Sequence, residues 1–281
     1  MVSLMQYEYL QNAVMAGFFG GALCGVVGVF LVTMQASFLG ICIAHAAFAG
    51  ALFGLLLDFN PMAGAILFSL GAAAVIGPLS DRGAFSPDTS IGILFSVMLG
   101  IAFLIMGIMP GGRPEALSLF WGAILTVSRQ DIFVLAGILA LLVLLLLLFF
   151  RQIHVVACHR AIAAAAGIPA SLYFYGMLSA TGVAIAVSLP SIGGLLVYSL
   201  VINPAAAAYQ LTYNFKLLLL LAAGFGVASC WLGLFLSFVF NAPAGAVIIL
   251  SSALLFMIAC LLSPKRKPSL WRNRSKTTFP Q

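Results

Sequence analysis

The segment IFVLAGILALLVLLLLLFF, residues 132–150, runs for nineteen residues without a charged or polar side chain. At about 1.5 Å of rise per residue, a helix of this length spans the roughly 30 Å hydrocarbon core of a bilayer. The composition of the whole chain agrees, because 64% of its 281 residues are hydrophobic and 6% are charged, against about 25% charged residues in a typical soluble domain. A soluble globular protein is excluded, since even a domain of this size needs polar residues to cover its surface.

Eight further apolar segments are predicted to cross the membrane with this one. The nine predicted spans are 12–32, 38–57, 61–79, 90–109, 132–150, 172–190, 193–213, 216–240 and 245–262. The apolar stretch Leu117–Thr126 is too short to cross and is interpreted as a re-entrant or surface helix. Pro190 and two glycines make Leu189–Gly194 either a tight hairpin or a broken helix, so eight spans are the alternative. The sequence predicts an all-α polytopic membrane protein, with one transmembrane domain over 1–262 and a basic tail over 263–281.

The basic residues predict the orientation, because Lys and Arg in short loops remain on the cytoplasmic side. The tail carries six of the twelve basic residues, which places the C-terminus in the cytoplasm. Counting back through nine spans places four more on the same side: Arg82, Arg151, Arg160 and Lys216. Arg113, Arg129 and the N-terminus then lie outside, and residues 1–11 show no removable signal peptide. The tail predicts contact with anionic membrane lipid. Binding of nucleic acid would require a basic folded domain, and the sequence contains none.

His45 lies in the middle of the second predicted span. An ionisable side chain at that depth is costly and by default faces a protein interior or a water-filled path. Cys42 precedes it by three residues on the same helical face. Imidazole and thiolate suit zinc or a similar transition metal, so His45 and Cys42 are candidate metal ligands. The alternatives are a cysteine packed as a small hydrophobe and a histidine hydrogen-bonded to a neighbouring helix.

Asn203 and Pro204 are expected to interrupt the seventh span. Proline removes a backbone donor and frees a carbonyl, which is tolerated where the backbone faces protein or a cavity. Two interpretations stay open: a lining of the translocation path, and a packing kink beside the small residues 205–208. Three carboxylates near helix ends are interpreted as caps or loop charges: Asp58, Asp88 and Asp131.

The chain contains neither a GxxxxGK[ST] phosphate loop nor a GxSxG motif, so no catalytic residue is predicted. If ATP drives the protein, another subunit must bind the nucleotide. The longest predicted internal loop is Arg151–Ser171, which contains an alanine-rich helix closed by Gly167 and Pro169. A short helix of this kind is either a docking point for a cytoplasmic partner or a connector at the membrane interface.

Five segments carry a resemblance to a known family. Gly40–Ala46 keeps the glycine, the histidine and the final alanine of a Gly-Asp-Ala-x-Ser-His-Ala motif. The other matching segments are Ser90–Ser96, Leu195–Ala208, Gly233–Ser237 and Ala242–Gly245. In this order and spacing, from about residue 12 to residue 262, they resemble the permease subunits of the bacterial ABC-type manganese, zinc and iron importers.

The resemblance implies a permease fold of the vitamin B12 importer type, in the plasma membrane of a bacterium. It implies a homodimer that works with two cytoplasmic ATPase subunits and an extracytoplasmic metal-binding protein. A divalent metal ion is the cargo, ATP belongs to the partner subunit, and no covalently bound cofactor is implied. By the same resemblance, Arg151–Ser171 with Ala163 and Gly167 is the loop that couples the permease to the ATPase.

Four positions depart from the family pattern. Ile41 stands where the family has an aspartate four residues before the histidine. Cys158 and Arg160 replace acidic residues at the start of the coupling helix, and Asn241 replaces the aspartate before the last Pro-x-Gly element. Loss of the carboxylate beside His45 disfavours a site tuned for manganese and favours a softer or transient contact. Two alternatives stay open. An ion-coupled secondary transporter is disfavoured by the lack of carboxylates at mid-membrane, and the other is a non-transporting membrane assembly subunit derived from the permease fold.

Overall fold

A computed structural model describes residues 8–81, 87–109, 114–122 and 124–266, and these residues form α-helices joined by short connections. The helices are α1 Glu8–Thr33, α2 Ser37–Leu56, α3 Pro61–Asp81, α4 Pro87–Ile108, α5 Pro114–Trp121, α6 Arg129–Leu148, α7 Phe150–Cys158, α8 Arg160–Ala165, α9 Ala170–Ile192, α10 Gly194–Leu211, α11 Phe215–Phe240 and α12 Ala244–Leu261. Two 3-10 turns, Ile124–Thr126 and Pro264–Arg266, complete the list.

Eight helices in the described part of the chain are long and apolar enough to cross a membrane, namely α1, α2, α4, α6, α9, α10, α11 and α12. The remaining predicted span is α3, whose apolar part, Pro61–Ile76, is shorter. An all-α polytopic protein with eight to nine transmembrane helices is therefore confirmed. Arg82, Arg113 and the tail beyond Arg266 lie outside the described residues, so their predicted locations stay predictions.

Gly193 alone separates α9 from α10, with φ at 99°, a backbone conformation that favours glycine. The far ends of the two helices lie on one side of the protein. There, His154 of α7, which packs on α9, stacks on Phe215, four residues beyond α10, at 4.7 Å between ring centroids. The junction is thus a tight hairpin between two antiparallel membrane-spanning helices, and the broken-helix alternative is wrong.

α10 is helical without a gap from Gly194 to Leu211, and Pro204 lies inside it. The expected interruption at Asn203 and Pro204 is therefore wrong. Proline removes one hydrogen bond from a helix, but inside a membrane protein the neighbouring helices and side chains can compensate for that loss. Buried Pro204 is enclosed in this way.

The centre of the bundle is α1, which packs closely on α10 and α11. A methyl group built at Gly28 would overlap the carbonyl oxygen of Val201, and one built at Gly21 would lie 2.7 Å from that of Gly226. α2 meets α3 in the same way at Gly50. Small residues let membrane helices approach until their backbones touch, and that packing holds them together because lipid provides no hydrophobic drive between helices.

Candidate functional site

Two connections between helices lie beside the middle of α2: the end of α5 and the α9–α10 junction. Phe120 of α5 packs on Phe48 of α2 with ring centroids 5.4 Å apart. Directly after α5, a methyl group built at Gly122 would overlap the carbonyl oxygen of Ile192, the last residue of α9. Ile192 in turn packs on Gly20, twelve residues into α1, at a depth of about 18 Å along that helix. The segment around α5 therefore enters the bundle, which fits the re-entrant rather than the surface interpretation.

His45 lies on α2 at this level. Its Nδ1 is 2.8 Å from the carbonyl oxygen of Ile41, one helical turn earlier. A carbonyl oxygen can only accept a hydrogen bond, so Nδ1 donates and carries the ring proton in this arrangement. Nε2 then holds the lone pair, and this is the tautomer that a metal-binding imidazole requires.

The space between His45, α5 and the α9–α10 junction is almost filled. The Phe95 ring of α4 lies nearly perpendicular to the imidazole, with 4.8 Å between ring centroids. A cavity of about 10 Å³ remains, lined by Ala44, His45, Phe48, Phe120, Gly194 and Leu195. That volume is at the lower limit for one water molecule. An ion could reach His45 from this side only after the α5 segment or the α9–α10 junction had moved.

Cys42 and His45 occupy different environments. Cys42 is completely buried, whereas His45 lies on a half-exposed face of α2 with Phe38 and Ile41. Among the described residues, no hydrogen bond joins the Cys42 thiol to the imidazole, and no three His, Cys, Asp or Glu side chains cluster as a metal site. One chain therefore offers a single correctly oriented imidazole at this level, and ligation by Cys42 stays a prediction.

Asn203 faces α12 and takes part in a buried polar cluster. Its side-chain amide donates to Ser199 at 3.0 Å and to Ser252 of α12 at 2.9 Å. The two serine hydroxyls are themselves 2.9 Å apart. In the described part of the chain, the hydrogen bonds of Asn203 lead to α10 and α12 and that of His45 to Ile41, so the structure does not join these two predicted site residues. The contacts make Asn203 a link between α10 and α12, and its place on a path stays a prediction.

The predicted coupling loop consists of two helices, α7 and α8, that continue from the end of α6. Ala163 is completely buried, and its carbonyl oxygen accepts the backbone N–H of Ile168 at 3.1 Å. Gly167 has φ at 79°, a conformation at a helix end that favours glycine. Ile162 is 61% exposed beside these two residues. The loop thus presents an exposed apolar side chain on the short helix α8.

Three of the residues that depart from the family pattern have distinct local environments. The Arg160 guanidinium lies 4.4 Å from the Phe174 ring centroid and so joins α8 to α9. Asn241 ends α11 in the left-handed conformation, with φ 49° and ψ 41°, which asparagine adopts more readily than most residues. Desolvation raises the pKa of the Cys158 thiol, so this group stays protonated at neutral pH.

Asp131 is confirmed as a helix cap. Ser128 accepts a hydrogen bond from the Asp131 backbone N–H at 3.2 Å, while the Asp131 carboxylate accepts the Ser128 N–H at 3.1 Å. Asp88 lies in the first turn of α4, and Asp58 follows the end of α2 with φ at 54°. All three carboxylates lie at helix ends, as predicted.

Sequence reasoning did not identify the aromatic residues that close the site. Phe95 lies within the Ser90–Ser96 match, and Phe120 lies in the short apolar stretch after α4. Ser199 and Ser252, the partners of Asn203, carried no signal at all, because isolated serines are common in transmembrane helices.

Tightly packed spanning helices, a re-entrant segment and an ionisable group at mid-bundle define a helical membrane transporter. A family model described as ABC 3 transport family matches residues 6–263, so the chain belongs to this family. It is similar to the manganese transport system membrane protein MntC of Halalkalibacterium halodurans, at 31% identity over 96% of this chain and 94% of that protein. It is also similar to the manganese import system permease protein ScaB of Streptococcus gordonii, at 30% identity over 94% and 95% of the two chains.

Solved structures support the same assignment. PsaBC from Streptococcus pneumoniae, in complex with Fab, shares 30% identity and a TM-score of 0.85, covering 94% of this chain and 97% of that chain. A metal-chelate type ABC transporter in an inward-facing conformation, at 18% identity, has a TM-score of 0.72 over 90% and 85% of the two chains and shows the fold alone. The resemblance seen in the sequence is confirmed: the chain is a membrane-spanning ABC permease subunit and not itself the ATPase. The ion-coupled secondary transporter is therefore excluded.

Proposed function

We propose that this chain forms the membrane path of an ABC-type importer of divalent transition metal ions, and that His45 contacts the ion. The observation that carries the role of His45 is its hydrogen bond to Ile41, which leaves Nε2 as a ligand beside a closed constriction. The import of a metal ion is supported by the family and by relatives described as manganese transport or import proteins.

Two opposing considerations bear on which metal the protein carries. The names of the relatives favour manganese. Manganese prefers oxygen ligands, however, and this chain has Ile41 where the family motif has an aspartate. An imidazole, with or without the Cys42 thiol, suits zinc and the later transition metals better. We expect manganese to be bound less tightly here than zinc during transit.

A homodimer is proposed from the surface around His45. The face formed by Phe38, Ile41 and His45 is only partly covered by α4. An ionisable group at mid-membrane should face protein or water rather than lipid. A second copy packed on this face would meet that condition and would bring two imidazoles to one path, which compensates for the small ligand set of a single chain.

Each end of the helix bundle is assigned a partner protein in this proposal. ATP requires a separate cytoplasmic subunit, because the chain has no phosphate loop, and the α7–α8 segment with Ile162, Ala163 and Gly167 is the proposed contact. Arg151 and Lys216 lie at this end, which the positive-inside rule makes cytoplasmic. The opposite end, where Arg129 pairs with Glu8 at 2.9 Å, then faces outward toward an extracytoplasmic metal-binding protein.

The proposed mechanism is alternating access in the plasma membrane of a bacterium. ATP binding on the partner moves α7 and α8, and α6 carries that motion into the membrane because it continues directly into α7. The motion opens the constriction at His45 toward the cytoplasm. Residues 1–262 form the permease domain in this proposal, and 263–281 form a basic cytoplasmic tail whose charges contact anionic lipid.

The test is uptake by the assembled complex in proteoliposomes, with manganese, zinc and iron supplied separately and in competition. His45→Ala should reduce ATP-dependent uptake at least about tenfold, while ATPase activity of the complex persists. Phe238→Ala, which removes an exposed ring from α11 away from His45 and from the α7–α8 segment, is the control and should retain uptake. Unchanged uptake by His45→Ala would contradict the role of His45, and no uptake of any of the three metals by the native complex would favour an assembly subunit.

A further inference from the structure

A cavity of about 720 Å³ opens between α1, α6 and α11, near the corner where α6 passes into α7. This volume lies within the range of cavities that bind small ligands. Its walls are apolar side chains of the three helices: Val26, Leu139, Val143, Leu146, Leu219 and Ala223. We call this feature the α6 groove.

One end of the α6 groove is cationic. Arg151 and Lys216 line it there, and both side chains are exposed. The Lys216 ammonium lies 5.4 Å from the Phe150 ring centroid. Within the described ranges, neither Arg151 nor Lys216 forms an ion pair with a carboxylate. The groove is therefore apolar along its length and carries two positive charges at its mouth.

The dimensions of the α6 groove match one leaflet of a bilayer. Leu139 and Leu148 both line the groove on α6 and are nine residues apart, or about 14 Å at 1.5 Å per residue. Half of the hydrocarbon core is about 15 Å. An acyl chain that lies along α6 with its headgroup at Arg151 would fill the groove without leaving its own leaflet.

We propose that the α6 groove binds one anionic phospholipid, with its phosphate between Arg151 and Lys216 and an acyl chain against Leu139, Val143 and Leu146. Basic pockets between transmembrane helices are known to bind anionic headgroups on the cytoplasmic side of membranes. The assignment to the cytoplasmic leaflet rests on the orientation proposed above, whereas the binding itself rests only on the shape and charge of the groove.

A lipid fits this groove better than a second copy of the chain. The groove belongs to α1, α6 and α11, whereas the face that carries His45 belongs to α2 and α4. A second copy that covers His45 therefore leaves the groove free. A protein face would also need carboxylates to meet Arg151 and Lys216, and the whole chain has only six acidic residues.

The test is native mass spectrometry of the full permease–ATPase complex after delipidation. Phosphatidylglycerol, phosphatidylcholine with the same acyl chains, and inorganic phosphate are added in turn. We expect one phosphatidylglycerol per permease chain, with about 30-fold weaker binding after the double substitution Arg151→Gln and Lys216→Gln, at about fivefold per basic residue. Arg129→Gln, which removes one charge at the other end of α6, should bind like the native protein. Equal binding by the double variant, equal binding of phosphatidylcholine, or displacement by inorganic phosphate would overturn the proposal.

A second pair of variants tests the apolar part of the groove. Val143→Trp fills the groove, and we expect it to reduce bound phosphatidylglycerol at least about tenfold. Val134→Trp adds the same bulk on an exposed part of α6 away from the groove and should bind normally. Equal binding by both tryptophan variants would contradict an acyl chain in the groove. Metal uptake does not enter either measurement, so failure of the importer assignment and failure of the lipid site remain distinguishable.

Discussion

The helices α1 and α6 are both predicted spans, yet they occupy opposite environments. The core window of α1 is 78% buried and that of α6 is 22% buried. The difference lies in their small residues: α1 brings Gly21, Gly25 and Gly28 against neighbouring backbones, whereas Gly137 of α6 has open space around it. In a bilayer, hydrophobicity brings a helix into the membrane but does not decide whether protein or lipid surrounds it, and the position of small residues does.

This difference also separates two functions. The glycine-packed centre fixes α1, α10 and α11 relative to one another, while α6 is mostly exposed and continues into α7. A helix with few backbone contacts can tilt at low cost, and one with backbone contacts cannot, because its neighbours would have to move too. The motion that opens the path is therefore expected in α6 rather than in α1.

The largest effect is expected for Gly28→Ala. The new methyl group would overlap the Val201 carbonyl oxygen, which belongs to a backbone and cannot move aside, so we expect a loss of about 3 kcal/mol or more in unfolding free energy. Gly137→Ala on α6 is the matched control and should be neutral or more stable by up to about 1 kcal/mol. Thermal unfolding in detergent, followed by size-exclusion chromatography, measures both. Equal melting of the two variants would show that the contrast between α1 and α6 is wrong.

The next prediction compares the two polar positions of the bundle. Asn203→Leu should cost about 1 kcal/mol of stability, because it removes the amide that joins Ser199 to Ser252, but uptake by the folded protein should stay within about twofold of native. His45→Ala should do the opposite, with little change in stability and a large loss of uptake. Transport and melting temperature measured on the same preparations check this. If Asn203→Leu abolished uptake without loss of stability, Asn203 would line the path.

The predicted spans were recoverable because bilayer thickness imposes a length on every crossing helix. The backbone course at Gly193 and at Pro204 could not be predicted, because it depends on contacts between residues distant in sequence. The hairpin at Gly193 brings the far ends of α9 and α10 to one side of the protein, near Phe215. α10 stays helical through Pro204, because neighbouring helices enclose that residue. No local pattern contains that information.

The candidate site was predictable in part for a similar reason. The depth of His45 in an apolar helix was sufficient to single it out. Cys42 shares its helical face only approximately, since residues three apart differ by about 60° around the axis. That offset separates a completely buried thiol from a half-exposed imidazole. Phe95 and Phe120, which close the site, are indistinguishable in sequence from other apolar residues.

The coupling loop offers a smaller and more local test. Gly167→Ala introduces a side chain at φ 79° without any steric neighbour, so only backbone strain of about 1 kcal/mol is expected. Because strain here distorts the end of α8, binding of the ATPase subunit should weaken by about fivefold. Gly176→Ala, inside α9 with equally open surroundings, should leave binding unchanged. Titration of the ATPase onto detergent-solubilised permease measures the affinity, and equal affinities would contradict a conformational role for Gly167.

The smallest effects are expected at the outer end of α6. Ser128→Ala removes one half of the capping box with Asp131 and should cost about 1 kcal/mol, whereas Arg129→Gln removes an exposed ion pair with Glu8 and should cost less than about 0.5 kcal/mol. Raising the salt concentration should reduce the small effect of Arg129→Gln and change that of Ser128→Ala less, since the cap acts through short hydrogen bonds. Melting curves at two ionic strengths distinguish them. A larger cost for Arg129→Gln than for Ser128→Ala would mean that the ion pair, rather than the cap, anchors this mostly exposed helix to α1.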